Sequence, residues 1–121
     1  MDCPFCNLDR EIIASNDLAF AVRDAFPVCE GHTLVIPKVH EPCLTSLSKT
    51  VYLSCFDLVR VVVEKLQHEL EPDGFNIGVN VGKAAGQTVN HAHIHVIPRC
   101  DGDVPNPRGG IRAVIPSKAG Y

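Results

Sequence analysis

The chain contains no tryptophan, one methionine and two tyrosines. Its apolar mass must therefore come from aliphatic side chains and five phenylalanines. No apolar run approaches the roughly 20 residues of a membrane-spanning helix, so no membrane association is expected. No long basic tract occurs, and Lys plus Arg (11) is outnumbered by Asp plus Glu (14). A surface that tracks long nucleic acid is not expected on that charge balance. A short nucleotide stays open as a ligand, because it needs a pocket and not a stripe. The start, Met1-Asp2-Cys3-Pro4, is acidic and lacks a basic region followed by an apolar one. It does not read as an export signal, and a cytoplasmic location is expected. Cytosolic thiols stay reduced, so six cysteines do not imply disulfides. There is no internal repeat and no low-complexity segment.

What is there is globular. The 121 residues are 45% hydrophobic and 21% charged, enough for one domain, residues 1–121, with a real core. Cys29, Cys43, Cys55 and Cys100 sit in mostly apolar stretches and read as small hydrophobes. Cys3 and Cys6 have the spacing of a metal or redox pair, or are two unrelated thiols.

Periodicity places the elements. Residues 18–23 and 32–37 read as strands expected to form an antiparallel pair, the second ending at Pro37. Thr45 or Ser48 could cap a helix over residues 49–71, where Val51, Cys55, Leu58, Val59, Val62, Leu66 and Leu70 recur at three and four. Pro72-Asp73-Gly74 stops it. Residues 75–81 alternate, and residues 88–98 alternate again, with Ala92, Ile94 and Val96 opposite His91, His93 and His95. Residues 111–115 suggest a short final strand. The expected architecture is α+β, a small antiparallel sheet covered by one long helix.

Three histidines at strict alternation lie on one face of a strand. A neutral imidazole is a competent nucleophile near pH 7, and a neighbouring ring can hydrogen-bond a phosphate oxygen. The alternatives are a solvated strand face that carries histidines by chance, or a metal site made by the triad alone.

The segment His91-Ala92-His93-Ile94-His95-Val96-Ile97 resembles the signature of the histidine triad (HIT) family of nucleotide hydrolases and transferases. Gly86-Gln87-Thr88-Val89, Pro98-Arg99, Cys3-Pro4-Phe5-Cys6 and residues 31–38 with His40 fit the same family, so the resemblance covers residues 3–116. It implies about five antiparallel strands, one long helix and a short N-terminal helix. It also implies a homodimer formed through the helix and an adjacent strand; Tyr52, Val61 and Val63 widen the helix's apolar stripe in a way that suits one. By resemblance, His93 attacks the α-phosphorus of a purine nucleotide or dinucleoside polyphosphate and forms a nucleotidyl-histidine that water resolves. His95 then serves the phosphoryl oxygens and leaving group, Gln87 and Thr88 sit near the phosphates, and Asn80 near phosphate or sugar. Asp24 would take the ribose hydroxyls. Phe5, Leu18, Phe20 and Ile36 could wall the base pocket. Bland readings stand beside these: a turn Asn80, a strand Thr88, a turn Asp24 and ordinary core aromatics.

Some members, and the related galactose-1-phosphate uridylyltransferases, hold a structural zinc. The matching residues here are Cys3, Cys6, His40 and His91, a closed tetrahedral set; otherwise His91 orients the adjacent loop. His32 is expected to support His93, or to be a satisfied buried histidine. No organic cofactor is implied. Gln87 and the tail, residues 106–112, lean toward dinucleoside polyphosphate over phosphoramidate substrates. The tail would reach toward the active site, its own or a partner's. A nucleotidyl transferase and a non-catalytic nucleotide-binding regulator are the rival functions.

Overall fold

The structure is a computed structural model that describes residues 3–121; Met1 and Asp2, half of the acidic start, lie outside the described residues. Five strands form one antiparallel sheet: β1 (Ala14–Ser15), β2 (Ala19–Arg23), β3 (Thr33–Pro37), β4 (Gly74–Gly78) and β5 (Ile94–Arg99). The spatial order is β1-β2-β3-β5-β4. The helix α1 (Lys49–Leu70) covers one face. Ser48 caps it, its side chain accepting from the Val51 amide, and Glu71 ends it in a left-handed conformation. Cys55, Leu58, Val59, Val62 and Leu66 make its buried stripe. They pack on Ala19, Ala21, Val35, Ile94 and Val96 of the sheet. Each fully buried aliphatic side chain of this layer is worth about 1.5–3 kcal/mol.

The other face is only partly covered. Phe20, Val22, Leu34 and Ile36 of β2 and β3 cluster there with Phe5 from the N-terminal segment. The face of β5 that alternates with its core side chains stays open, and His95 opposite Leu34 marks its border.

The long helix, the pairing of β2 with β3 and the fold class match the sequence reading, and four details correct it. First, residues 88–93 are not strand; β5 begins at Ile94. Continued one way, the ladder would set Ala92 against Pro37, and proline has no N–H to give. The Pro37 carbonyl accepts instead from the His91 ring at 2.8 Å, and the Ala92 amide donates to Glu41 O at 2.7 Å. Second, β4 stops at Gly78, opposite His95, because β5 supplies almost no ladder beyond it. Third, residues 111–114 belong to a short 3-10 turn, Gly110–Val114, entered through left-handed Gly109 and Gly110, and only Ile115 after it is extended. Fourth, residues 4–7 form a turn and not a short helix; the Cys6 amide donates to Cys3 O at 3.2 Å. The two-residue β1 is too short for any periodicity to announce. Of the four scattered cysteines only Cys55 is buried; Cys29 and Cys43 are half-buried and Cys100 is exposed.

Gly31 joins the β2–β3 hairpin to the end of α1. Its φ is +89°, and a Cβ there would lie 2.6 Å from Leu70 Cδ1, 3.0 Å from Leu66 Cδ2 and 3.2 Å from Pro98 Cγ. Gly31→Ala is therefore expected to cost about 1–3 kcal/mol through backbone strain and displaced leucines. Urea unfolding reads this directly, and a loss below about 0.5 kcal/mol would contradict the packing described.

Candidate active site

Backbone groups decide which ring nitrogen of each histidine carries its proton. His93 Nδ1 lies 2.9 Å from the His91 carbonyl oxygen. A carbonyl only accepts, so Nδ1 is the N–H and Nε2 keeps a lone pair. The ring is 8% exposed, and Phe5 meets it edge-on at a centroid distance of 5.0 Å. His32 is tied the other way: the Val28 amide donates to its Nδ1 at 3.1 Å. The His32 proton is therefore on Nε2, which donates to His95 Nδ1 at 2.9 Å. That leaves His95 with its proton on Nε2. Two adjacent rings, His93 and His95, with centroids 5.1 Å apart, thus offer a lone pair and an N–H donor side by side.

Burial and the neighbouring His93 and His32 rings push the His95 pKa down to about 4, against a smaller raising effect of Asp24. Burial also lowers His32, again opposed by Asp24. Asp24 follows β2, accepts from the Phe26 amide at 2.9 Å, and sets a carboxylate oxygen 3.4 Å from His32 Nε2. Donor atoms of Asp24, His32 and His95 all lie within 4.8 Å of one another. A cation there would need the His32 Nε2 lone pair, which the Val28 amide withholds by holding the proton on that side. The trio reads as a His32–His95 hydrogen bond with the Asp24 carboxylate close by, and not a metal site.

The rings border a cavity of about 360 Å³. Asp24, Asn80, Thr88, His93 and His95 supply its polar side, and Phe5, Leu34 and Val89 an apolar wall. Of the residues singled out by sequence, Asp24, Asn80, Thr88, Phe5, His93 and His95 meet here. Phe20 lies behind Phe5 in the buried cluster, as does Ile36, and neither lines the cavity. His32 supports His95 and not His93. Gln87 is committed to backbone: its Oε1 accepts from the Gly82 amide at 2.9 Å, and its Nε2 donates to Pro42 O at 2.7 Å and Val89 O at 3.0 Å. It shapes the loop that carries Thr88. Arg10 and Phe26 also line the cavity, and sequence reasoning missed both. Arg10 stands in a stretch without periodicity; Phe26, 88% exposed beside Pro27, could have been flagged as an aromatic in a turn.

His91 turns away from this cavity. Its Nε2–H donates to Pro37 O, so its Nδ1 lone pair faces Cys3 Sγ at 3.4 Å, Cys6 Sγ at 3.6 Å and His40 Nδ1 at 3.2 Å. Cys6 Sγ lies 3.3 Å from His40 Nδ1. Bond lengths of about 2.0–2.1 Å to nitrogen and about 2.3 Å to sulfur put tetrahedral donors roughly 3.3–3.8 Å apart. Two thiols and two imidazole lone pairs converge at nearly that spacing, so these four residues fit a closed divalent-metal site. His91 is thus a candidate ligand, and the two rings after it are free for chemistry.

An antiparallel sheet and helix that set alternating imidazoles at the edge of a cleft lined by Asp24, Asn80 and Thr88 define a histidine triad protein. The profile described as the HIT domain matches residues 6–102, and the chain belongs to that family. An adenosine 5'-monophosphoramidase of Schizosaccharomyces pombe is 34% identical, covering 97% of this chain and 85% of that protein. A bis(5'-adenosyl)-triphosphatase of Dictyostelium discoideum is 34% identical over 85% of this chain and 69% of its own. Among solved structures, a Zn-bound histidine triad family protein from Mycobacterium smegmatis superposes with a TM-score of 0.79 at 34% identity, covering 87% of this chain and 80% of that one.

The lowered His95 pKa makes a sign-definite prediction. The unfolded chain takes up a proton at this histidine near its ordinary 6.5, the folded chain only near about 4. The unfolded state therefore binds more protons across that window, and stability rises with pH through it and is lost on acidification. His95→Asn should flatten the stability-versus-pH slope between pH 4 and 6.5 relative to the parent, as read by urea midpoints in matched buffers. An unchanged slope would mean that His95 is not held neutral.

Proposed function

We propose that this protein is a nucleotide hydrolase that cleaves nucleoside phosphate anhydrides or phosphoramidates through a covalent intermediate on His93. The observation that carries the reading is the fixed tautomer of His93: its Nδ1–H is spent on the His91 carbonyl, so Nε2 faces the cavity as a lone pair. A nucleophile held in place removes much of the entropic cost of attack. Nε2 bonds to the α-phosphorus and the bond from phosphorus to the leaving oxygen or nitrogen breaks. The leaving group departs with that electron pair and takes one proton. Water then displaces His93 and returns one proton to solvent, so the cycle balances as hydrolysis. His95 Nε2–H is positioned to donate to oxygens on which negative charge builds. Asp24 is suited to the ribose hydroxyls, Thr88 and Asn80 to phosphate oxygens, and the Phe5–Leu34–Val89 wall to a purine base.

His93→Ala should lower turnover on the order of a thousandfold and abolish a nucleotide-sized mass adduct seen after brief quenching with an adenosine phosphoramidate or diadenosine polyphosphate. Turnover untouched by this substitution would reject the mechanism. Interception of the adduct by phosphate would reassign the protein as a transferase, and binding without any adduct as a regulator.

The metal of the Cys3–Cys6–His40–His91 set is read as zinc, which supplies no chemistry to the reaction and crosslinks the N-terminal turn to the residues before β5. Two thiolates and two imidazoles suit it, and the Zn-bound relative from Mycobacterium smegmatis supports it. Metal analysis should find about one zinc per chain, lost in Cys3→Ser and His40→Ala with a lower melting temperature; less than half an equivalent in the parent would count against it. The free thiols suit a reducing, cytoplasmic setting, and no helix among the described residues is long and apolar enough to cross a membrane. A homodimer is also part of the reading: Leu53 and Val61 on α1 are about half exposed, and β4 is an open edge. Sedimentation at micromolar concentration gives the mass that tests it.

A further inference from the structure

The spacing of Cys3 and Cys6 suits a metal pair or a redox pair, and their geometry serves both. The Cys6 amide closes a turn onto Cys3 O at 3.2 Å, and such a turn draws its first and last residues together. Both sulfurs approach one atom, His91 Nδ1, at 3.4 and 3.6 Å, and they lie within 4.8 Å of one another. A disulfide needs about 2.05 Å between its sulfurs, which rotation of two short side chains can reach. Access is one-sided, because Cys6 is exposed and Cys3 half-buried. An oxidant therefore meets Cys6 first, with the Cys3 sulfur behind it. The other cysteines are placed differently. Cys55 is buried, Cys29 Sγ donates to Pro98 O at 3.3 Å, and Cys43 Sγ lies 3.2 Å from Thr45 Oγ1.

We propose that Cys3 and Cys6 are a reversible, peroxide-sensitive disulfide site, and that their oxidation expels the bound metal and loosens Phe5 from His93. The expulsion rests on the zinc reading above; the disulfide does not. The Cys6 thiolate attacks one oxygen of hydrogen peroxide. The S–O bond forms, the O–O bond breaks, and the departing hydroxide takes a proton to become water. The Cys3 thiolate then attacks the Cys6 sulfenic acid; the S–S bond forms, and the second hydroxide leaves and is protonated. Two thiolates have lost two electrons, and one peroxide has gained them as two waters. A disulfide has no thiolate to give a metal, so His40 and His91 alone remain, and two imidazoles do not close a tetrahedral site. His91 stays where it is, buried and bonded through Nε2–H to Pro37 O at 2.8 Å. The N-terminal turn is left with apolar packing, chiefly of Phe5 against Phe20, Val22, Leu34 and Ile36. Phe5 stands between the two cysteines and meets His93 edge-on at 5.0 Å. A shift of the turn therefore reaches the wall of the cavity.

The test treats the full, zinc-loaded chain with a few equivalents of hydrogen peroxide. Peptide mass spectrometry should map a Cys3–Cys6 disulfide, and a chromogenic chelator should read about one zinc released per chain in step with the loss of the pair's thiols. The melting temperature should fall. The His93 imidazole NMR signals, assigned with His93→Ala, should move as the Phe5 ring current leaves them. Dithiothreitol with added zinc should reverse every change. A Cys29→Ser/Cys43→Ser/Cys100→Ser variant should respond alike, and if it folds poorly the peptide map of the parent carries the assignment. A disulfide mapped to another pair, Cys29–Cys100 included, would overturn the site, as would sulfinic acid in place of a disulfide or zinc retained until the other thiols are spent. Unmoved His93 signals in the oxidised protein would overturn the link through Phe5. A parent that takes up no zinc sinks the metal reading alone, because the same peptide map still decides the disulfide.

Discussion

A neutral imidazole has two nitrogens and one proton, and this site depends on where each proton sits. The backbone decides. The His91 carbonyl takes the Nδ1–H of His93, the Pro37 carbonyl takes the Nε2–H of His91, and the Val28 amide occupies Nδ1 of His32. Main-chain groups of this kind cannot titrate near neutral pH and are held by the sheet and its hairpin. The proposed nucleophile, the proposed hydrogen-bond donor and the candidate metal ligand therefore come from three copies of one residue type, separated only by what each ring finds behind it.

Alternation then becomes division of labour. His91 faces the cysteines, His93 the cavity, and His95 the His32 ring, while Ala92, Ile94 and Val96 anchor the run in the core. Phe5 connects the parts. Its ring meets His91 at 5.9 Å and His93 at 5.0 Å, both edge-on, and it sits between Cys3 and Cys6 in sequence. Whatever holds the two thiols against His40 and His91 also holds this aromatic wall against His93.

Much of this was legible in the sequence, for physical reasons. The helix was legible because its apolar residues recur at helical spacing and Ser48 caps it. The β2–β3 pair was legible because two short apolar runs lie close together in the chain and the second ends at Pro37. The cavity residues Asp24, Asn80, Thr88, His93 and His95 were placed through a family resemblance; periodicity alone gave only the shared face of the histidines. What stayed hidden depends on long-range contacts. The strand read across residues 88–98 was cut at Ile94 because Pro37, far away in the chain, has a carbonyl that prefers an imidazole. Gln87 was assigned to phosphate because an amide looks the same in sequence whether it faces a ligand or three backbone groups. Arg10 and Phe26 carried no pattern at all, since residues recruited to a cavity rim from irregular segments obey no period.

The strand order has a consequence for how the chain comes into being. β5 is the last strand made, yet it lies between β3 and β4. While a ribosome is still adding the residues before Ile94, the nascent sheet has a gap at its middle, with β3 and β4 each presenting unpaired backbone. The strand that follows His93 is therefore also the closing piece of the fold, and a chain halted short of it lacks both His95 and the seam that joins its two halves.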